Sequence, residues 1–332
     1  MTRRRTVLKA ALLGLSVEMM SARADAADDE VIDKWYGVKG DGITNDRVAL
    51  QRAIDNAAGV GKTLVITGRC RVDVTGLTCR TGSRIRFAPG ASIKFLPHSE
   101  DTYQVLRIWD VQRVTLENAN VDGSKELNSA RGGENGIGIS IVGSSDITLI
   151  NPTTVNCWGD GIYLAGSYVH KLPYAENIKV VNHHASGCRR QGVSIISAKN
   201  VLFDHPVWTD IQGTAPAAGL DIEPDDNTNV LENIRIVSPY TRNCQVGILI
   251  WLKLIAGPVP KQVSIEITNH RDEASREAAF SVSGLRLKGH AVRGRIASVA
   301  PVWERPRGKG FLSYEQDSDG PQIVVNDPKT IR

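Results

Sequence analysis

Gly159-Asp160-Gly161-Ile162-Tyr163-Leu164 repeats a pattern already present in Gly136-Ile137-Gly138-Ile139-Ser140-Ile141, and the chain returns to it three more times. The later copies are Arg190-Gln191-Gly192-Val193-Ser194-Ile195, Ala217-Ala218-Gly219-Leu220-Asp221-Ile222 and Gln245-Val246-Gly247-Ile248-Leu249-Ile250. Their central glycines fall at 138, 161, 192, 219 and 247, in steps of 23, 31, 27 and 28 residues. Self-similarity at that period marks a stacked-coil architecture, in which one repeat is one turn and cannot bury its apolar face alone. A second set of strands lies between the copies: Asp146-Ile147-Thr148-Leu149, Asn177-Ile178-Lys179-Val180, Asn200-Val201-Leu202-Phe203 and Asn233-Ile234-Arg235-Ile236. A short third set ends in Asn156-Cys157, Gly187-Cys188, Asp210-Ile211 and Asn243-Cys244. No helical pattern separates these strands, which disfavours leucine-rich repeats. The predicted fold is all-β: a right-handed, single-stranded parallel β-helix with three sheets.

Alternation along each strand then sorts its side chains. Ile139, Ile162, Val193, Leu220 and Ile248 form one inward stack, and Ile141, Leu164, Ile195, Ile222 and Ile250 form the next. Cys157, Cys188 and Cys244 stack with Ile211 as small buried hydrophobes and need no redox role. Cys70 and Cys79 are left as a pair able to bond in an oxidising compartment. Of the 332 residues only 5% are aromatic, while 31 are glycine, which suits aliphatic rungs joined by tight turns. The net charge of +4 is spread out, without the clustered basic face that nucleic-acid binding needs.

The ends read differently. Arg3-Arg4-Arg5-Thr6-Val7-Leu8-Lys9 leads into a short apolar stretch, and Ala24-Asp25-Ala26 offers a small-x-small cleavage site. The paired arginines resemble a twin-arginine export signal over residues 1–26, which implies a periplasmic or secreted protein. That apolar stretch is too short to span a bilayer, and nothing downstream is longer, so no membrane insertion is expected. The β-helix domain then runs over 27–332. Its cap is expected at 30–60, with Asn45 as N-cap of an amphipathic helix carrying Val48, Ala49, Leu50, Ala53, Ile54 and Ala57 inward. Coils are expected over about 61–270, and an irregular C-terminal cap over 271–332, where the period decays.

Tyr36-Gly37-Val38-Lys39-Gly40-Asp41-Gly42-Ile43-Thr44-Asn45-Asp46, followed by the helix, resembles the entrance to β-helices of the pectate-lyase superfamily. Asn120-Val121-Asp122-Gly123 is similar to the Ile-Asp-Gly element of its polygalacturonase family. The resemblance covers roughly residues 31–252 and implies a protein acting on polysaccharide. The sequence also departs from that family. Gly159-Asp160-Gly161-Ile162 matches its first aspartate. Gln191-Gly192-Val193-Ser194-Ile195 lacks the histidine of its Gly-His-Gly, and Gly219-Leu220-Asp221-Ile222-Glu223 carries two acids where the family has two cations.

The outward positions beside the apolar rungs hold the candidate chemistry. Asp160, Arg190, Asp221 and Glu223 face one groove as candidate catalytic residues. Tyr163, Trp158, Trp251, Ser194 and Gln191 flank them as candidate substrate contacts, aromatics beside acids being suited to sugar rings. Exposed acids on a strand usually form only a solvated face, but four ionisable groups over three coils of aliphatic rungs are a concentration. Asp221 and Glu223 have Cα atoms ~6.5 Å apart, and Asp160 lies ~10 Å from Asp221 along the axis. These spacings fit inverting glycoside hydrolysis, with Asp221 as general acid and Glu223 or Asp160 activating water. Crowded carboxylates would also raise one pKa, as an acid catalyst requires. Asp225, Asp226, His183, His184 and His205 are expected to be solvated surface or turn residues, and no spacing argues for a structural metal.

Two other functions stay open. In a uronate lyase Arg190 would be the base and Ca²⁺ on Asp221, Glu223 and Asp160 would neutralise the substrate carboxyl; the hydrolase needs no cofactor. In a non-catalytic β-helix the groove would bind polysaccharide unchanged.

Overall fold

A computed structural model describes residues 29–285, 291–314 and 320–332, so the export-signal segment lies outside the described residues. The chain winds as a parallel β-helix with two sheets of eleven strands and one of nine. Strand pairing is parallel throughout the three sheets, each strand bonded to its equivalents one coil before and one coil after. The strands of the nine-stranded sheet are β1 (Leu77–Thr78), β2 (Thr102–Trp109), β3 (Asn135–Val142), β4 (Asp160–Ala165) and β5 (Gln191–Ile195). They continue with β6 (Ala218–Ile222), β7 (Val246–Trp251), β8 (Ala278–Ser283) and β9 (Lys309–Ser313).

The repeat read from the sequence is the register of this sheet. Ile162 pairs with Val193, Val193 with Leu220 and Leu220 with Ile248, all with no exposed surface. Cys157, Cys188, Ile211 and Cys244 form a buried cluster of their own. Phe280 and Phe311 extend the first inward stack, their rings 5.4 Å apart and nearly parallel. Neighbouring coils thus present the same apolar surface to each other, and each fully buried aliphatic side chain contributes about 1.5–3 kcal/mol.

Near the start of each strand in the second set stands a ladder of side-chain amides. Asn233 donates to Asn200 (2.9 Å), Asn200 to Asn177 (3.1 Å) and Asn177 to Asp146 (3.0 Å). All four have φ between 52° and 58°, a left-handed backbone that Asn and Asp tolerate better than other non-glycine residues.

Several expectations need correction. The helix α1 (Arg47–Gly59) begins after Asp46, whose carboxylate accepts the Lys39 and Gly40 N–H groups; Asn45 Oδ1 accepts the Arg47 N–H at 3.1 Å. Leu50, Ala53, Ile54 and Ala57 are buried as expected, but Val48 is 63% exposed because it falls off the stripe facing the coils. Strands precede α1 as well, since Glu30–Ile32 pairs with Thr63–Ile66, so the helix sits on a winding already begun. The coils do not stop near 270: strands join all three sheets as far as Lys329–Ile331. The glycine signature fades there while the apolar alternation that pairs strands persists. Cys70 and Cys79 are both free and buried. His183 is buried instead of lying at the surface, between Thr154 Oγ1 (2.8 Å) and the Trp208 indole N–H (3.2 Å).

Candidate functional site

Across the outer face of the nine-stranded sheet, Tyr163, Ser194, Asp221 and Leu249 stand in register on β4, β5, β6 and β7. Asp160 and Gln191 form a second row beside them. The expected positions are therefore neighbours in space. They are not open to solvent, however: Gln191 is 0% exposed, Ser194 and Asp221 1%, and Asp160 2%. The loop before β3 lies against one side of this cluster. Glu134 from that loop reaches Arg190, the Arg189 guanidinium donates to Gly133 O, and the Trp158 indole donates to Gly132 O at 3.0 Å.

Arg190 organises the acids. Its Nη1 is 3.3 Å from Asp160 Oδ2, its Nη2 3.6 Å from Glu223 Oε2, and its Nε 3.4 Å from Glu134 Oε2. Ser194 Oγ donates to Asp160 Oδ2 at 2.9 Å. Gln191 accepts the Ala218 N–H through Oε1 (2.9 Å), which turns its Nε2 to donate to Asp221 Oδ2 (2.8 Å). Asp160 Oδ1 and Asp221 Oδ1 are buried with no hydrogen-bond partner among the described residues. Glu223, just past the end of β6, keeps 26% of its side chain exposed.

Desolvation governs the titration of this cluster. Burial pushes the Asp160 carboxyl up to about 6, against the opposing pull of Arg190 and of the Ser194 hydroxyl. Burial also lifts Asp221 well above the ordinary carboxylate range, and the negative charge of Glu223 adds to this. Burial alone would lower Arg190, but Asp160, Asp221, Glu134 and Glu223 outweigh it and raise its pKa. A guanidinium so held is a fixed positive charge.

The flanking candidates divide. Tyr163 adjoins Ser194 in register. Trp158 lies against the loop before β3, with the Arg189 guanidinium 4.2 Å from its ring and Tyr103 OH accepting its backbone N–H at 2.8 Å. Trp251 follows Ile250, the register partner of Ile222, as Glu223 follows Ile222, and Lys253 Nζ lies 5.8 Å from its ring. Two clefts bracket the acids on this face. One, of about 520 Å³, includes Tyr163, Tyr168, Ile196 and Asp225. The other, of about 380 Å³, includes Ala217, Leu249, Gln245 and Arg276. Sequence reading missed Glu134, Tyr168 and Arg276, which sit in loops or at strand entries outside the alternating pattern. Asp225 and Asp226 are exposed as expected, and partial desolvation together with the charges of Glu223 and Asp226 raises the Asp225 pKa.

No protein-family model matches the chain, and no curated protein sequence matches it. Solved structures do. The chain is similar to a 1,3-α-1,4-β-D-galactose-4-sulfate 3,6-anhydro-D-galactose-2-sulfate 4-galactohydrolase, with a TM-score of 0.68 at 12% identity over 91% of this chain and 90% of that one. It is similar also to tailspike protein gp49 of the Acinetobacter baumannii bacteriophage Fri1, a capsular polysaccharide depolymerase (TM-score 0.59, 12% identity, 92% of this chain and 63% of that one). A third is the pre-mature bacteriophage phi29 gene product 12 (TM-score 0.62, 17% identity), of which 89% of this chain spans 45%. The chain therefore spans less than half of that phage protein, and at these identities the likeness is one of fold.

Proposed function

We propose that the protein is an exported polysaccharide-active enzyme that hydrolyses glycosidic bonds on the outer face of the nine-stranded sheet. The observation that carries this reading is the gathering of Asp160, Asp221 and Glu223 about the Arg190 guanidinium, two of the three carboxyls buried, between two clefts. Hydrolysis needs a carboxylic acid to protonate the departing oxygen and a carboxylate to activate water. Asp221 supplies the acid, with its proton reaching solvent through the exposed edge of Glu223. Asp160, across the Arg190 guanidinium, is the base that activates water. Arg190 steadies the negative charge and keeps the carboxyls apart. The likeness to a galactohydrolase and to a capsular depolymerase supports the choice of polysaccharide as substrate.

The lyase alternative loses ground on one point. Its base would be Arg190, whose pKa the surrounding carboxylates raise, and whose guanidinium stands between Asp160 and Glu223 where a Ca²⁺ would have to bridge them. The test is incubation with a panel of plant and bacterial polysaccharides, following reducing ends and unsaturated-uronate absorbance with and without EDTA. Reducing ends alone, insensitive to EDTA and lost in Asp221→Asn, are expected. EDTA-sensitive absorbance would replace the hydrolase with a lyase, and binding without cleavage would leave a lectin.

A further inference from the structure

The two clefts beside the acids have opposite chemistry. The cleft on the C-terminal side begins at Leu249, the register partner of Asp221, and extends to Ser281 and Tyr314. Arg276 lies in it. Arg276 Nη2 donates to Gln212 Oε1 (3.1 Å) and to the Asn243 carbonyl (3.3 Å), and its Nε is out of solvent without a partner. Among the described residues no carboxylate makes an ion pair with it, in contrast to Arg190 with three. Glu277, exposed at the rim of the same cleft, takes the Gln245 side-chain amide at 3.4 Å. A guanidinium carries five N–H donors in a planar fork, so Arg276 keeps donors for a planar anion.

The cleft on the N-terminal side is built against anions. Tyr163 and Tyr168 line it together over a floor of Ala165 and Ile196. Tyr168 packs edge-on to Trp109, the ring centroids 5.4 Å apart. Asp225 and Asp226 close the side nearer Glu223, and the Thr228 hydroxyl holds Asp226 in its ionised form by lowering its pKa. Aromatic rings offer the apolar face of an uncharged sugar a packing surface, and carboxylates accept its hydroxyls. His170, in the same lining, is the one group there able to carry positive charge.

We propose that the substrate is a heteropolysaccharide bound in one direction, with an acidic sugar unit in the Arg276 cleft and an uncharged unit in the Tyr163–Tyr168 cleft. This rests on the reading of the acid cluster as a polysaccharide site. Two strand spacings, ~10 Å, separate the β6 coil of Asp221 from the β8 coil that Arg276 enters, so the acidic unit sits beyond the reacting bond and sets its position.

The test is direct binding, read in the Asp221→Asn protein so that turnover plays no part. The probes are methyl glucuronoside and methyl glucoside, which differ by one carboxylate. The glucuronoside is expected to bind about tenfold tighter, the scale of a charge-assisted contact. Arg276→Gln should abolish that preference while leaving glucoside affinity and melting temperature in place, and Arg276→Lys should restore part of it. A glucuronoside that binds no tighter than the glucoside, or a preference that survives Arg276→Gln, would overturn the proposal. Its failure is separable from that of the hydrolase reading: wild-type cleavage of a uronate-containing polymer at a rate indifferent to Arg276→Gln sinks only the acidic subsite. Glucuronoside preference without cleavage of any polymer sinks only the hydrolase.

Discussion

Asp160 is held out of water with one oxygen on Ser194 and Arg190 and the other on nothing, and this decides how it responds to pH. A carboxyl whose pKa is higher folded than unfolded binds its proton more tightly in the native state. The stability it lends is therefore present below its ordinary value of 3.8 and is lost as pH rises through about 6. The shift amounts to about 3 kcal/mol, so Asp160→Asn should flatten the fall in urea stability across that interval; an unchanged profile would show that Asp160 is not desolvated. The same value bears on catalysis. With Asp160 as base, kcat should rise as pH passes about 6 and fall again as Asp221, raised above the ordinary carboxylate range, loses its proton. Asp221→Asn and Glu223→Gln should each lower kcat about 10²–10⁴-fold. Arg190→Met should cost about 3–5 kcal/mol at neutral pH, because it leaves buried carboxylates without their cation; a denaturation midpoint close to wild type would remove Arg190 from the centre of the cluster.

At the scale of the strand, each residue is stabilised by its copies one coil away. Leu220, between Val193 and Ile248, has no room to collapse if truncated, and Leu220→Ala should cost about 2–5 kcal/mol by chemical denaturation. The amide ladder tests a different force. Asn200 has φ 55° and both gives and receives a ladder hydrogen bond. Asn200→Ala loses both bonds and strains the backbone, at about 1–3 kcal/mol, while Asn200→Gly relieves the strain and should be milder. Equal losses in the two variants would mean that the ladder bonds, not the backbone, set the cost. The stacked Ile and Leu positions were legible in the sequence because alternation has a strict period of two. The ladder was not read there, because the asparagines that open each strand look like ordinary turn residues until their side chains are seen one above another.

In the whole molecule, strand pairing runs between adjacent coils, so the helix is quasi-one-dimensional and every coil protects the edge of the one before. Residues beyond 270 belong to this winding: Phe280 and Val282 pair with Ile248 and Ile250, and later strands follow in all three sheets. A chain ending after Glu273 would expose the Ile248 and Ile250 edge. It should aggregate on size-exclusion chromatography, whereas a detachable cap would leave a soluble monomer.

From its sequence alone this protein declares its architecture, its inward stacks and the four ionisable residues Asp160, Arg190, Asp221 and Glu223. Each of these follows from local alternation multiplied by a repeat, and no long-range packing is needed to see them. Their environment had to come from the tertiary structure. Outward on a strand was read as exposed, yet Asp160 is buried against Arg190 and Ser194, and Asp221 against Gln191. The contrast between the clefts of Arg276 and Asp225 likewise depends on loops 30 or more residues apart in the chain meeting on one face. Loops carry no period, so which side chains they lay over a regular sheet, and hence how strongly they desolvate its acids, is decided only when the coils are stacked.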